Sequence, residues 1–339
     1  MTEDQRDLEL QAEALAVAAG LSGPFQLEPL LGGRNNRAFV LRAGTSCAFF
    51  KAYFRHPDDP RDRLRSELAF LAHAETMGIE AVTRVLGHNR EAGLALFSFV
   101  QGRRLHPGEV RCPQVAAALD FYLALNTLPA ELPNASEACF SLRQHLDCVE
   151  RRVGRLARAA AKGRMRADAA GFVATDLSPA WERLRRSILA DAPKLLGTDF
   201  DAPLAPDLRR ASPSDFGFHN ALLTSEGALV FLDFEYAGLD DPAKMVCDFF
   251  CQPELPVPQK LWSRFLAHAA EASPDDAGLP VRAALLLPAY RLKWCCIMLN
   301  DFLALGAARR DFARNGETGS RCDRQLALAR RTLNFHIKH

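Results

Sequence analysis

The sequence predicts an α+β fold in two lobes, with residues 25–102 strand-rich around one helix and residues 103–339 mainly helical. Three features carry the prediction. Short strand-like apolar runs succeed one another ahead of residue 102, helical periodicity fills 103–210 and 258–339, and a hairpin-like segment at 211–250 lies between the two helical stretches. With 339 residues and 48% apolar content the chain can bury a sizeable core.

The first twenty residues, which include Glu3, Asp4, Asp7, Glu9 and Glu13, read as an amphipathic helix. They lack the basic start and apolar centre of a signal peptide. Leu30 to Leu41 then reads as strand, turn and strand. Gly32 and Gly33 sit at the turn, where backbone N–H groups can approach an anion, and Asn35 and Asn36 follow. The next strand, Ala48 to Phe54, places Lys51 inside an apolar run. A lysine there needs a partner or an anion.

Sixteen residues later Glu67 shares a helical face with Leu64, Leu68 and Leu71, so it points inward and needs a cation. Lys51 is the expected partner. A strand near Val82–Val85 precedes Leu94 to Val100, which runs into Gln101-Gly102. This connector is the expected hinge between lobes, with Phe97 and Phe99 as apolar walls for a bound base.

The hairpin segment carries the chemistry. Ser214-Asp215-Phe216-Gly217-Phe218-His219-Asn220 is followed, thirteen residues after the Asn, by Asp233-Phe234-Glu235. Phosphoryl transfer needs one carboxylate for the acceptor hydroxyl and two oxygen ligands for magnesium, and Asp215, Asn220 and Asp233 occur in that order. Ala221–Thr224 and Ala228–Leu232 read as paired strands. With Glu226-Gly227 as a two-residue tip, Asn220 faces Asp233, a separation of about 4.5–5.5 Å between Cα atoms that lets both reach one ion.

Lys and Arg total 42 against 41 Asp and Glu, so no global field favours nucleic acid or an anionic membrane. No apolar run approaches the roughly eighteen residues of a membrane span. Nine cysteines without repeated C-x-x-C spacing argue for packed, reduced thiols and a cytoplasmic setting. The basic run from Glu150 through Arg151, Arg152, Arg155 and Arg158 to Arg166 reads as a solvated helix face.

On these residues the chain resembles the aminoglycoside phosphotransferase and choline kinase-like family of small-molecule kinases, distant relatives of protein kinases. The resemblance runs from Gly32-Gly33 to Asp248. It is most specific at Ser212–Leu222 and Phe231–Pro242, where the family writes H-G-D-x-x-x-x-N and I-D-F/W-E/D followed by D-P. It implies a two-lobed protein-kinase-like fold and ATP- and magnesium-dependent transfer to a hydroxyl. Asp215 is then the catalytic base, Asn220 and Asp233 are the metal ligands, and Lys51 with Glu67 positions phosphate beside Gly32, Gly33, Asn35 and Asn36. Pro213 and Ser214 replace the family His and Gly, which leaves a nucleotide-binding pseudokinase as the alternative. Asp241-Pro242 reads as an N-cap and first helical residue, and Asp248 as support for the catalytic loop.

The expected partner is a small-molecule acceptor. Arg291 and Lys293 interrupt an apolar helix, with Arg309, Arg310 and Arg314 further on. Two residues apart on a helix they face different ways, and Arg291 with Trp294 is the expected acceptor contact, Glu235 a further one. A neutral or anionic hydroxyl compound, such as a sugar or carboxylated metabolite, therefore ranks above choline, ethanolamine or an aminoglycoside.

Overall fold

A computed structural model describes residues 3–30, 35–197, 199–304, 312–313 and 319–337. Period-two alternation builds the first lobe as a five-stranded antiparallel sheet. Its strands are β1 (Phe25–Leu30), β2 (Arg37–Ala43), β3 (Ser46–Ala52), β4 (Val85–Asn89) and β5 (Leu94–Ser98), in the order β1-β2-β3-β5-β4. The expected amphipathic helix is α1 (Glu3–Ala18). Its Leu8, Ala12 and Ala16, four residues apart, pack with Phe39, Leu41, Phe50 and Leu96 of the sheet. Phe50 is fully buried, which is worth about 1.5–3 kcal/mol against leaving it in water.

Between β3 and β4 lies α2 (Arg63–Thr76), started by the Asp62 side chain accepting from Arg65 N at 3.0 Å. Leu64, Glu67, Leu68 and Leu71 all fall on its buried face, as their spacing predicts. The Gly32-Gly33 turn lies outside the described residues. At the other end of the lobe, Gly102 follows β5. A Cβ there would stand 2.9 Å from Leu223 O, so only glycine lets the connector pass this close.

The second lobe is built on β6 (Arg103–Arg104), α3 (Cys112–Leu125), α4 (Leu142–Ala161), α5 (Ala167–Phe172) and α6 (Ser178–Leu196), the last two joined by a π-helical segment at Val173–Leu177. Then come β7 (Arg210–Ser212), β8 (Ala221–Leu223), β9 (Leu229–Phe231), β10 (Gly238–Asp240), α7 (Pro242–Cys251), α8 (Trp262–Glu271), α9 (Leu279–Met298) and α10 (Gly319–Ile337). Strands β6, β8 and β9 form one small sheet and β7 with β10 another. The helices pack on a single large core that includes Trp181, Phe249, Phe265 and Leu292.

Helix α9 carries Pro280 in its first turn and continues through Pro288. One local reading differs from expectation. The hairpin turn holds three residues rather than two. Thr224 N donates to Ala228 O and Gly227 N to Thr224 O, so Ser225, Glu226 and Gly227 all lie in the loop. Ala221 therefore pairs with Phe231, and Asn220 faces Leu232, whose N–H donates to Asn220 O at 2.8 Å. The predicted pairing of Asn220 with Asp233 was one residue out.

Candidate active site

Lys51 Nζ sits 2.7 Å from Glu67 Oε2 of α2 and 2.6 Å from Asp233 Oδ1 beyond the hairpin. The expected partnership with Glu67 is thus present, and one ammonium joins β3, α2 and the segment after β9. Tyr53 Oη adds a 2.6 Å bond to Glu67 Oε2, while Phe234 N donates to Glu67 Oε1 at 3.3 Å. Burial by itself lowers the pKa of Lys51. Asp233, Glu67 and Glu235 outweigh it and hold the ammonium well above its ordinary value, so the cation persists. Phe234 is locked by stacking on Phe70 at 4.4 Å, which fixes the residue beside Asp233 in the core.

Asp233 has φ +66°, in the left-handed region, so it leaves the alternation of β9. Its side chain is 38% exposed. In the loop of residues 214–220 Asn220 Nδ2 donates to Asp215 O at 3.0 Å, and His219 Nε2 lies 3.4 Å from Asp215 Oδ1. Gly217 allows the loop to close around that imidazole, because a Cβ on it would meet His219 Nδ1 at 2.8 Å. Ser214 also has positive φ, +64°. It stands at the position where a glycine was expected, and its hydroxyl donates to Tyr236 O at 2.9 Å.

Asn35 and Asn36, which follow the glycine turn, spend their side-chain amides within the protein. Asn35 Nδ2 donates to Glu235 Oε1 at 2.8 Å and to Tyr236 Oη at 3.0 Å. Asn36 donates to Glu235 Oε2 at 2.5 Å and accepts from Phe54 N at 3.0 Å. Both ends of buried Asn36 are therefore committed within the protein. Glu235 is fully buried between these amides and Arg63, whose Nε lies 3.6 Å away, so it is an anchor for the residues after the glycine turn and does not reach an acceptor. Burial and the neighbouring Asp233 raise its pKa, against Lys51, Arg63 and Asn36. Phe97 is shut in the core against Phe49, with ring centroids 6.2 Å apart. Phe99, 41% exposed, is left as the open aromatic near the Gly102 connector.

A cavity of about 230 Å³ opens beside Asp215, Ser214 and His219, with walls from α4, α7, α9 and α10. Lys293 and Trp294 line it, whereas Arg291 does not. Arg291 donates to Gln259 Oε1 at 3.0 Å, and the expected choice of Arg291 over Lys293 is thereby reversed. The helical geometry was sound in separating the two, but the packing of α9 turns Lys293, Trp294, Ile297 and Met298 toward the cavity. Asp248, expected to support the catalytic loop, instead accepts from Lys293 Nζ at 2.8 Å and Trp294 Nε1 at 2.9 Å. Asp241 is the N-cap of α7, accepting from Ala243 N at 2.8 Å, with Pro242 at the first position as its spacing predicts. Arg309, Arg310 and Arg314 lie outside the described residues.

A family model described as the phosphotransferase enzyme family, APH, matches residues 26–285. The chain belongs to that family. Its fold is the two-lobed kinase fold shared with solved structures that match nearly end to end. Choline kinase LicA from Streptococcus pneumoniae is 14% identical with a TM-score of 0.56, covering 97% of this chain and 99% of that one. An aminoglycoside phosphotransferase described as putative, from Ralstonia eutropha, is 15% identical with a TM-score of 0.59, covering 98% of each. A spectinomycin phosphotransferase in complex with ADP and spectinomycin is 14% identical with a TM-score of 0.54, covering 96% and 98%. Among curated proteins none matches the sequence.

As a member of the phosphotransferase family the chain is a small-molecule kinase. Among its described residues no helix is long and apolar enough to cross a membrane. Sequence reasoning missed two groups at the site. Arg152 and Arg155 line the cavity, Arg155 from an exposed position in keeping with a solvated face and Arg152 from a half-buried one. The signal was present, because Arg152 lies three residues after Val149 and four before Leu156, both on the buried side of α4. His219 was quoted only as part of the loop. Its place one residue before Asn220, four after Asp215, gave no further clue until the loop folded.

Proposed function

We propose that this chain transfers the γ-phosphoryl group of ATP to a hydroxyl of a small molecule, with residues 25–102 holding nucleotide and 103–339 carrying the catalytic loop and acceptor helices. The observation that carries the reading is Lys51 held between Glu67 at 2.7 Å and Asp233 at 2.6 Å, because it joins the strand, helix and catalytic segment that phosphoryl transfer needs together. ADP is bound in the spectinomycin phosphotransferase relative, which supports nucleotide use. Free thiols throughout, most of them buried, suit a cytoplasmic setting.

Asp215 accepts the proton of the acceptor hydroxyl as the oxygen attacks phosphorus. His219 beside it orients the carboxylate, and the Lys51 cation draws the phosphates toward the lobe junction. For magnesium the donor set fits. Asn220 spends its Nδ2 on Asp215 O and keeps Oδ1, and Asp233 supplies a part-exposed carboxylate. Among the described residues no group of three or more His, Cys, Asp or Glu holds a metal by itself. Two hard oxygen ligands that leave the other positions to phosphate and water are what Mg²⁺ uses. When bound, the ion would neutralise charge on the phosphates. Phe99, near the Gly102 hinge, is the proposed wall for the base.

The competing reading as a catalytically silent regulator rested on Pro213-Ser214. Ser214 takes up the backbone conformation a glycine would supply and adds a hydrogen bond, which favours a working loop. A coupled ADP-release assay with Mg-ATP and a panel of hydroxylated compounds tests the proposal. Acceptor-dependent release is expected, falling about 10²–10⁴-fold in Asp215→Asn while nucleotide affinity stays within a few fold. Nucleotide binding without release for any acceptor would instead establish the regulator.

A further inference from the structure

We propose that Arg61 is a catalytic residue, an arginine supplied by the chain itself whose guanidinium meets the charge on the phosphoryl group during transfer. This rests on the phosphotransferase reading above and adds to it a residue that none of the motifs marks.

Arg61 belongs to the segment between β3 and α2, yet it lines the cavity that also holds Ser214, Asp215 and His219 of the second lobe. Its guanidinium lies over the ring of Tyr236, three residues beyond Asp233, with Cζ 5.3 Å from the centroid. Tyr236 in turn accepts from Asn35 Nδ2 at its hydroxyl, at 3.0 Å, and from the Ser214 hydroxyl at its carbonyl, at 2.9 Å. One aromatic platform thus sets Arg61 among the residues after the glycine turn, the residue before Asp215 and the segment after Asp233. Those three segments surround the path from nucleotide to hydroxyl in the reading above.

The guanidinium is held by one edge. Asp59 Oδ1 accepts from Arg61 Nε at 2.6 Å and Asp59 Oδ2 from Nη2 at 2.9 Å, which leaves Nη1 and its two N–H groups without a bond among the described residues. Asp59 is 7% exposed and is fixed in its own right, since its N–H donates to His56 O at 2.9 Å and Arg63 Nη2 donates to it at 2.6 Å. Pro57 and Pro60 restrict the same backbone, and Asp62 caps α2 next to Arg61. A donor placed so firmly needs little reorganisation when charge develops near it. Arg63 shares Asp59 but is shut in at 2% exposure and gives Nη1 to Phe54 O at 3.0 Å, whereas the Arg61 side chain is 23% exposed. Of this pair, Arg61 is the one that reaches the cavity.

Transfer forms a bond from the acceptor oxygen to the γ-phosphorus and breaks the bond from that phosphorus to the β–γ bridging oxygen. The electron pair of the broken bond leaves on ADP, and the hydroxyl proton goes to Asp215. Negative charge meanwhile spreads over three equatorial oxygens. Lys51 has already given two of its three N–H donors to Glu67 and Asp233, so a second cation with spare donors has a task here. The free N–H groups of Arg61 donate to those oxygens, and the residue forms no covalent bond.

Two readouts test this without knowledge of the acceptor. Calorimetry compares Mg-ADP alone with Mg-ADP plus tetrafluoroaluminate, a stand-in for the phosphoryl group in transfer, and phosphate release from Mg-ATP uses water as the acceptor. Tetrafluoroaluminate should tighten ADP binding to the wild type. In Arg61→Gln most of that gain should vanish while Mg-ADP affinity stays within a few fold, and phosphate release should fall on the order of 10³-fold. Arg61→Lys should recover part of both, and sub-denaturing guanidinium should restore release to Arg61→Ala. Asp59 keeps Arg63 in each variant, so its buried ion pair survives.

An Arg61→Gln protein that keeps the tetrafluoroaluminate gain would overturn the proposal, as would one that loses Mg-ADP affinity in proportion to release, since the arginine would then be a strut between Asp59 and Tyr236. Failure of guanidinium to restore Arg61→Ala would also count against it. A wild type that binds Mg-ADP, gains nothing from tetrafluoroaluminate and releases no phosphate would remove the kinase reading and this residue's role with it, which separates the two failures.

Discussion

The hydroxyl of Ser214 donates to the carbonyl oxygen of Tyr236 at 2.9 Å, tying the residue before Asp215 to the segment that follows Asp233. Ser214 makes this bond from the left-handed region, at φ +64°, where a non-glycine residue costs roughly 1–2 kcal/mol. The hydrogen bond offsets part of that cost. Ser214→Ala keeps the strained backbone and loses the bond, so it should destabilise the protein by about 1–2 kcal/mol. Ser214→Gly loses the same bond and relieves the strain, so chemical denaturation should place it close to wild type. Equal losses in the two variants would show that backbone strain is no part of the balance.

Much of the first lobe was readable because its signals are local. Glu67 shares a face with Leu64 and Leu68 by helical spacing alone, and an inward carboxylate demanded the buried cation that Lys51 supplies. The errors arise where a tertiary choice overrides a local one. A three-residue turn moved the hairpin register by one, and nothing in Ser225-Glu226-Gly227 excludes the shorter loop. Periodicity placed Arg291 and Lys293 on different faces of α9, but only the packing of α9 against its neighbours decides which face meets the cavity. Arg152 was assigned to solvent with the rest of its basic run, although Val149, Val153 and Leu156 put it at the edge of the buried side.

As the proposed metal ligands, Asp233 and Asn220 should differ in effect. Asp233→Ala removes a charge and an oxygen, and also frees Lys51 from one of its two carboxylates, whereas Asn220→Ala removes a neutral oxygen. The magnesium requirement and the nucleotide Kd should therefore rise more in Asp233→Ala than in Asn220→Ala. A magnesium titration of nucleotide binding reads this directly. A larger effect from Asn220→Ala would mean that its bond to the Asp215 carbonyl, rather than the ion, is what the residue supplies.

Glu235 tests whether the anchor reading is right. Glu235→Gln replaces one accepting oxygen by a donor, which faces either Asn35 or Asn36, both of them donors to Glu235. A buried donor without an acceptor costs about 1–3 kcal/mol, and the tether on the residues following the glycine turn loosens. The nucleotide KM should rise while the acceptor KM stays near wild type. The reverse split would put Glu235 back at the acceptor, against its burial.

Asp241 gives the protein an acid-sensitive element in the second lobe. Its carboxylate is 1% exposed and accepts from His145 Nε2 at 3.0 Å and from Arg282 at 2.7 and 2.9 Å. Burial alone would raise its pKa, but His145 and the Arg282 guanidinium outweigh that and hold it well below the usual carboxylate range. A depressed folded-state pKa contributes stability that is fully present above the unfolded value, about 3.9, and is lost as pH falls below it. Asp241→Asn takes up no proton, so its stability lacks this dependence. At pH 7 the variant should be less stable by about 3–5 kcal/mol, since Arg282 loses one of its two buried carboxylates and α7 a charged cap. Denaturation from pH 7 to pH 3 should show the gap narrowing once pH drops below about 4. A constant gap over that range would mean the aspartate acts through its N-cap bond to Ala243 alone, a role the amide oxygen can share.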